Sequence, residues 1–298
     1  MPEQHAQCHE VREAVKKMLW DCQQGPPPLI HRGADLDPLQ RDLRFVPVDN
    51  PNPRVLSQRQ IVDYNERGFL APFRVFDTAA ARENREFFDK LQVKAEAIDR
   101  DRYSIMSYHL CSARLYDICM NERMLDLVED LVGPNFALWT SHFFSKSPYD
   151  EKKVPWHQDA SYWPFDKSRC VTAWLAIDDA DAGNAAMQFL PGTHRMGHLE
   201  WKTTLDPAAN PQEIVDAEKL GQPVLNVLQA GEISLHADML AHGSEPNNSD
   251  RRRCGLTLRY APLDVRALTN WHEQAIICRG SDSSNHWPHH PRPDGEYW

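Results

Sequence analysis

The sequence predicts a mainly β protein with flanking helices, its strands arranged as an antiparallel sandwich or barrel. Three observations carry this. From about residue 136, short apolar or alternating runs recur between turn residues, at 136–145, 170–177, 186–190, 232–236 and 254–260. Almost no helical pattern separates them, which argues against βαβ units and a parallel sheet. The residues before 136 show the opposite habit, with apolar side chains at helical spacing and capping signals at both ends.

Each element has a local reason. In 9–20, Val11, Ala14, Val15, Met18 and Leu19 form one apolar stripe, stopped by Gly25 and the prolines at 26–28. Ser57 and Gln60 make a capping-box pattern, Leu56 and Ile61 can staple the entry, and Gly68 sits where that helix should end. Asp77 or Thr78 can cap a helix reaching about Leu91 that carries Phe87 and Phe88. Asn121 can cap 122–132, where Leu125, Val128 and Val132 share a face before Gly133-Pro134. Residues 205–220 read as a loop and short helix inserted between strands.

A chain of 298 residues can bury a substantial core without disulfides. A single domain is expected over 1–298: a helical part at about 1–135, a β core at about 136–262 and a C-terminal extension at 263–298. The net charge of −10 argues against nucleic acid and anionic membranes as partners. Seven cysteines without a Cys-x-x-Cys pair argue against a zinc knuckle or disulfide framework. The N-terminus has neither a basic nor an apolar signal region, and no window approaches a membrane span. The expectation is a reduced, cytoplasmic protein, monomer or homodimer.

The segment richest in chemistry is Trp156-His157-Gln158-Asp159. On an extended chain, residues two apart point to one side, so His157 and Asp159 can converge. His-x-Asp/Glu occurs three times, at 157/159, 198/200 and 236/238, so the spacing alone decides nothing. A third ligand is available in His242, at the end of an expected strand. Two histidines and one carboxylate with open positions are the ligand set of non-haem Fe(II) oxygenases. His236-Ala-Asp238, on the strand leading to His242, is a rival pair. Eleven residues after His242, Arg253 opens an alternating run in which Arg253, Gly255, Thr257 and Arg259 share one face. Its guanidinium suits the distal carboxylate of a dicarboxylate co-substrate, or else a structural Asp or Glu. Arg251 and Arg252 precede it, and a shift of one residue would hand the role to Arg252 on the opposite face.

Four ordered blocks resemble the phytanoyl-CoA dioxygenase family: Trp156-His-Gln-Asp-Ala-Ser-Tyr-Trp-Pro-Phe165, Val171-Thr-Ala-Trp-Leu-Ala-Ile-Asp178, Phe189-Leu-Pro-Gly-Thr-His-Arg195 and His242-Gly-Ser-Glu-Pro-Asn-Asn-Ser-Asp-Arg-Arg-Arg253. The resemblance implies a double-stranded β-helix, or jelly roll, and an Fe(II)- and 2-oxoglutarate-dependent dioxygenase. It implies His157, Asp159 and His242 as iron ligands and Arg253 on the C5 carboxylate of 2-oxoglutarate. Ser244, Gln158 and Trp174 fall where the family places further co-substrate contacts. A carboxylate at 159 implies hydroxylation over halogenation, with desaturation and oxidative cyclisation open.

The expected partners are a small-molecule substrate and dioxygen. Tyr162, Trp163 and Phe165 can wall an apolar or cationic pocket or simply join a strand to the helices. Arg251 and Arg259 are candidates for a substrate carboxylate or phosphate. Two rivals remain at this stage: a zinc enzyme using the same three ligands, and a non-oxidative metal-binding jelly roll. The tail from His286 to Trp298, rich in His and Trp, can fold over the barrel mouth, mediate a dimer or hang loose.

Overall fold

The structure is a computed structural model and describes residues 36, 39–97, 104–204 and 212–297. The helix expected over 9–20 lies outside the described residues. Helix α1 (Gln58–Arg67) begins where Ser57 and Gln60 form the capping box, and Gly68 ends it in the left-handed region at φ 84°. A side chain at Gly68 would also meet the His194 ring at 2.6 Å, so the residue is required twice over. Helix α2 (Thr78–Ala97) starts on Asp77, whose carboxylate accepts from the Ala80 amide at 2.8 Å, and runs six residues beyond the expected Leu91. Helix α4 (Glu122–Val132) has the expected Asn121 cap. Ahead of it lies α3 (Ala113–Cys119), capped by Ser112, which the sequence pattern did not announce.

The strands form two facing antiparallel sheets. The larger runs β1 (Phe69–Arg74), β10 (Glu232–Ala237), β5 (Val171–Ala176), β12 (Arg253–Pro262), β3 (Phe136–Lys146) and β13 (Ile276–Arg279), with β2 (Ser104–Met106) also on β3. The smaller runs β4 (Val154–His157), β11 (His242–Ser244), β6 (Gln188–Phe189) and β9 (Val224–Leu225). A separate hairpin pairs β7 (Trp201–Thr203) with β8 (Gln212–Ile214). Within the stretch expected as loop and short helix, Gln212–Ile214 is therefore a strand, and Ala217–Lys219 makes one 3-10 turn. Tertiary pairing overrides local preference here.

Parity divides β12. Cys254, Leu256, Leu258 and Tyr260 join Phe87, Phe88, Leu91, Met124 and Val128 in the main core, between sheet and helices. Each such Leu or Phe contributes about 1.5–3 kcal/mol by leaving water. Arg253, Gly255, Thr257 and Arg259 are left on the other face, toward the smaller sheet. A second apolar cluster, including Phe69, Trp174, Met187, Phe189 and Leu240, joins the two sheets on that side. The C-terminal residues are packed down. Trp287 is buried, donates from Nε1 to the Val265 carbonyl at 3.0 Å, and stands beside Phe165.

Candidate metal centre

The smaller sheet brings the first histidine pair together directly. His157 on β4 and His242 on β11 are register partners, with ring centroids 4.1 Å apart. Gly243 permits this approach, because a Cβ there would meet the Val154 carbonyl at 2.8 Å. The His157 Nδ1 lies 2.8 Å from the Pro155 carbonyl, and the His242 Nδ1 lies 2.9 Å from the Leu240 carbonyl. A carbonyl only accepts, so each Nδ1 carries the proton and each Nε2 presents its lone pair. Both Nε2 atoms face Asp159 Oδ1, at 3.8 and 3.9 Å. One donor atom from each of the three residues lies within 4.8 Å of the others, and all three residues are buried.

Protonation states suit a cation. Burial, then the neighbouring His242, hold the His157 imidazole down at about 3, so it is neutral at physiological pH. Burial alone would raise the Asp159 carboxyl, but Arg259, His242 and His157 outweigh it and hold it at about 2. A neutral imidazole and an ionised carboxylate are the forms that ligate. Thr172 donates to Asp159 Oδ2 at 3.4 Å. The donor set thus fits a divalent metal with open positions, as in non-haem iron sites.

The three consecutive arginines have three different fates. Arg251 pairs with Asp181 at the surface. Arg252 points to the core side of β12, gripping Asp178 through Nε at 2.7 Å and Nη2 at 3.0 Å. Arg253 alone turns to the site face, where Nη2 donates to Ser244 Oγ at 3.3 Å and Nε to the Ala185 carbonyl at 3.2 Å. Ser244 lies two residues past His242, which ties the guanidinium to the ligand strand. Trp174 faces the same space, its ring 5.9 Å from the Arg253 guanidinium. It fits only because residue 255 is glycine, where a Cβ would lie 2.0 Å from the indole.

Gln158 is held by backbone groups around it. Its amide donates to the Gly197 and Met239 carbonyls at 3.0 and 2.7 Å and accepts from the Leu199 amide at 2.9 Å. These three bonds brace the loop. The rival pair at 236/238 is split. Asp238 accepts from Ser168 Oγ at 2.5 Å and from the Cys170 amide at 2.9 Å. His236 stays beside His242, ring centroids 5.0 Å apart, with both its nitrogens buried and lacking a hydrogen-bond partner. His194 is structural, its Nε2 held by the Asn65 carbonyl at 3.1 Å and its ring edge-on to Phe45.

Lys146 went unnoticed in the sequence. It is the register partner of Arg253, wholly buried, and its ammonium donates to the Glu245 carbonyl and, at 3.4 Å, to that of Ser244. Burial, then Arg253, lower it to about 7. The missed signal was parity on β3, where Thr140, His142, Phe144 and Lys146 share one face. The aromatics Tyr162, Trp163 and Phe165 are buried in one apolar cluster with Trp139, Trp271 and Trp287, and the Tyr162 ring lies 6.0 Å from that of His157.

The profile of the phytanoyl-CoA dioxygenase (PhyH) family matches residues 64–255, more than half of the chain. The chain belongs to this family. A protein of Stutzerimonas stutzeri described as a probable alpha-ketoglutarate-dependent hypophosphite dioxygenase is 30% identical over 177 residues, 54% of this chain and 57% of its own. The peroxisomal phytanoyl-CoA dioxygenase of Bos taurus is 28% identical over 246 residues, 72% of this chain and 71% of its own. The chain thus spans a little over half of the first relative and about seven tenths of the second. The crystal structure of EctD from S. alaskensis with 2-oxoglutarate and 5-hydroxyectoine superposes with a TM-score of 0.67 at 18% identity, covering 86% of this chain and 94% of that one. That likeness concerns the fold, the jelly roll expected above.

Proposed function

We propose that this family member is an Fe(II)- and 2-oxoglutarate-dependent dioxygenase that hydroxylates an unactivated C–H of a small-molecule metabolite, converting 2-oxoglutarate to succinate and CO₂. The observation that carries the reading is the pairing of two features on facing sheets. Two Nε2 atoms and one carboxylate converge on one point, and a guanidinium with a hydroxyl stands on the same side at Arg253 and Ser244. A hydrolytic zinc site would have no use for the second feature.

In this reading His157, Asp159 and His242 hold the metal, with both imidazoles oriented by their Nδ1 bonds to carbonyls. Arg253 binds the C5 carboxylate of 2-oxoglutarate in its planar fork, and Ser244 adds a hydroxyl donor. Trp174, seated against Gly255, limits the space around that carboxylate. When bound, Fe(II) with 2-oxoglutarate and dioxygen supplies the oxidant that the protein lacks. Tyr162, Trp163 and Trp139 shield the metal side from water, which protects the substrate position from competing reactions. We also propose a reduced, cytoplasmic setting. Five cysteines among the described residues are free thiols, four of them buried, and no helix there is long and apolar enough to cross a membrane.

The test is succinate formation from 2-oxoglutarate with Fe(II), in wild type and His157→Ala. Wild type should turn over, slowly without substrate, and the variant should lose more than about 100-fold while keeping its far-ultraviolet spectrum. Equal turnover in both would contradict the assignment.

A further inference from the structure

Six residues beyond Arg253, on the same face of β12, lies a second buried arginine. The α-carbons of Arg253 and Arg259 are separated by about 20 Å of strand. The metal ligands fall between them: Ser244, beside Arg253, follows His242, whereas Asp159 lies beside Arg259. The Arg259 residue is 9% exposed. Its guanidinium stands 5.5, 5.8 and 6.0 Å from the rings of Trp163, Trp139 and Phe144. Its Nε is buried and has no hydrogen-bond partner. Asp159 Oδ2, at 3.8 Å, is too distant for one, and among the described residues it is the one carboxylate within ion-pair reach.

A cation in this position is undercompensated. Burying a guanidinium is costly unless it is both paired and hydrogen-bonded. The aromatic rings fix its place and stabilise its charge, but they accept no strong hydrogen bond. Asp159 offers little more, because a carboxylate that ligates a dication has its charge shared with the metal. The co-substrate answers the need no better: its distal carboxylate is directed to Arg253 at the other end, and its C1 carboxylate, which would face the metal, would share its charge with the dication as Asp159 does.

We propose that Arg259 anchors the substrate, and that the substrate carries an oxyanion, a carboxylate or a phosphorus oxyacid, held beside the metal ligands with its remainder against Trp139 and Trp163. This rests on the iron and 2-oxoglutarate reading above and names the substrate class for it.

The experiment uses the full chain, anaerobic, loaded with Fe(II) and saturating 2-oxoglutarate. The visible charge-transfer band reports loading, and calorimetry measures binding of phenylacetate, its neutral isostere phenylacetamide, and methylphosphonate. At least one acid should bind about 30-fold or more tighter than the amide. The acid that wins distinguishes the carboxylate from the phosphorus source. Arg259→Gln should abolish the preference while the band and 2-oxoglutarate affinity persist, and Arg259→Lys should restore part of it. The proposal is overturned if acid and amide bind alike, if neither acid binds, or if Arg259→Gln loses the band together with acid binding, which would make the residue a brace for Asp159. Absence of the band in wild type overturns the metal reading and this one with it.

Discussion

Asp159 and Asp238 each follow a histidine by two residues, both are buried, and they end in opposite states. Asp159 faces Arg259 and the two histidine Nε2 atoms, and is held ionised at about 2. Asp238 faces Ser168 and the Cys170 amide. Burial, reinforced by the Asp159 charge, lifts it to about 7 despite those donors. One carboxylate is charged and available to a cation, and the other is consumed in tying a loop to β10. The motif does not make a ligand. What singles one out is the company that strands β4, β11 and β12 deliver, two imidazole Nε2 atoms and one guanidinium.

The largest test of this contrast is Asp159→Ala against Asp238→Asn. Succinate formation should fall by more than about 1,000-fold in the first and by no more than a few-fold in the second. Comparable losses would mean that Asp238 belongs to the centre. The neighbouring arginines give a second pair. Arg253→Met should raise the KM for 2-oxoglutarate by about 30-fold or more. Arg252→Met should leave KM alone and lower the melting temperature, since it strips a partner from buried Asp178. A KM effect at 252 would reassign the anchor.

Third is pH. The ordinary Asp value is 3.8 and the folded value of Asp238 about 7. Between these, the unfolded chain releases a proton that the folded chain keeps, so this group's contribution to stability falls as pH rises through that window and levels above it. Asp238→Asn removes the dependence, so its stability relative to wild type should improve from pH 4 to pH 8 by up to about 4 kcal/mol in urea titrations. A constant difference would contradict the raised value. The smallest effect is that of Gln158→Leu. It should cost about 1–3 kcal/mol, by leaving backbone groups unpaired, with the KM for 2-oxoglutarate unchanged within about twofold.

Much of this was legible. Capping chemistry located α1 and α4, alternation located β3, β5, β10 and β12, and parity on β12 separated the arginines at 252 and 253 before any coordinates. The hidden parts are those that only tertiary pairing creates. Strands β9 and β11 have two or three residues each, too few for any period to show, and of the run expected at 186–190 only Gln188–Phe189 is strand. Helix α3 lacks a long apolar stripe, and β8, one arm of the hairpin with β7, lies within residues expected as loop and short helix. The burial of Lys146 and the aromatic cage around Arg259 depend on side chains from distant strands, which no local pattern records.

The most direct test of the central claim is a crystal grown anaerobically with Fe(II), measured for anomalous scattering at the iron edge. The account predicts one strong peak about 2 Å from His157 Nε2, His242 Nε2 and an Asp159 oxygen. A peak seated instead between His236 and Asp238, or no ordered peak at the three ligands, would contradict it.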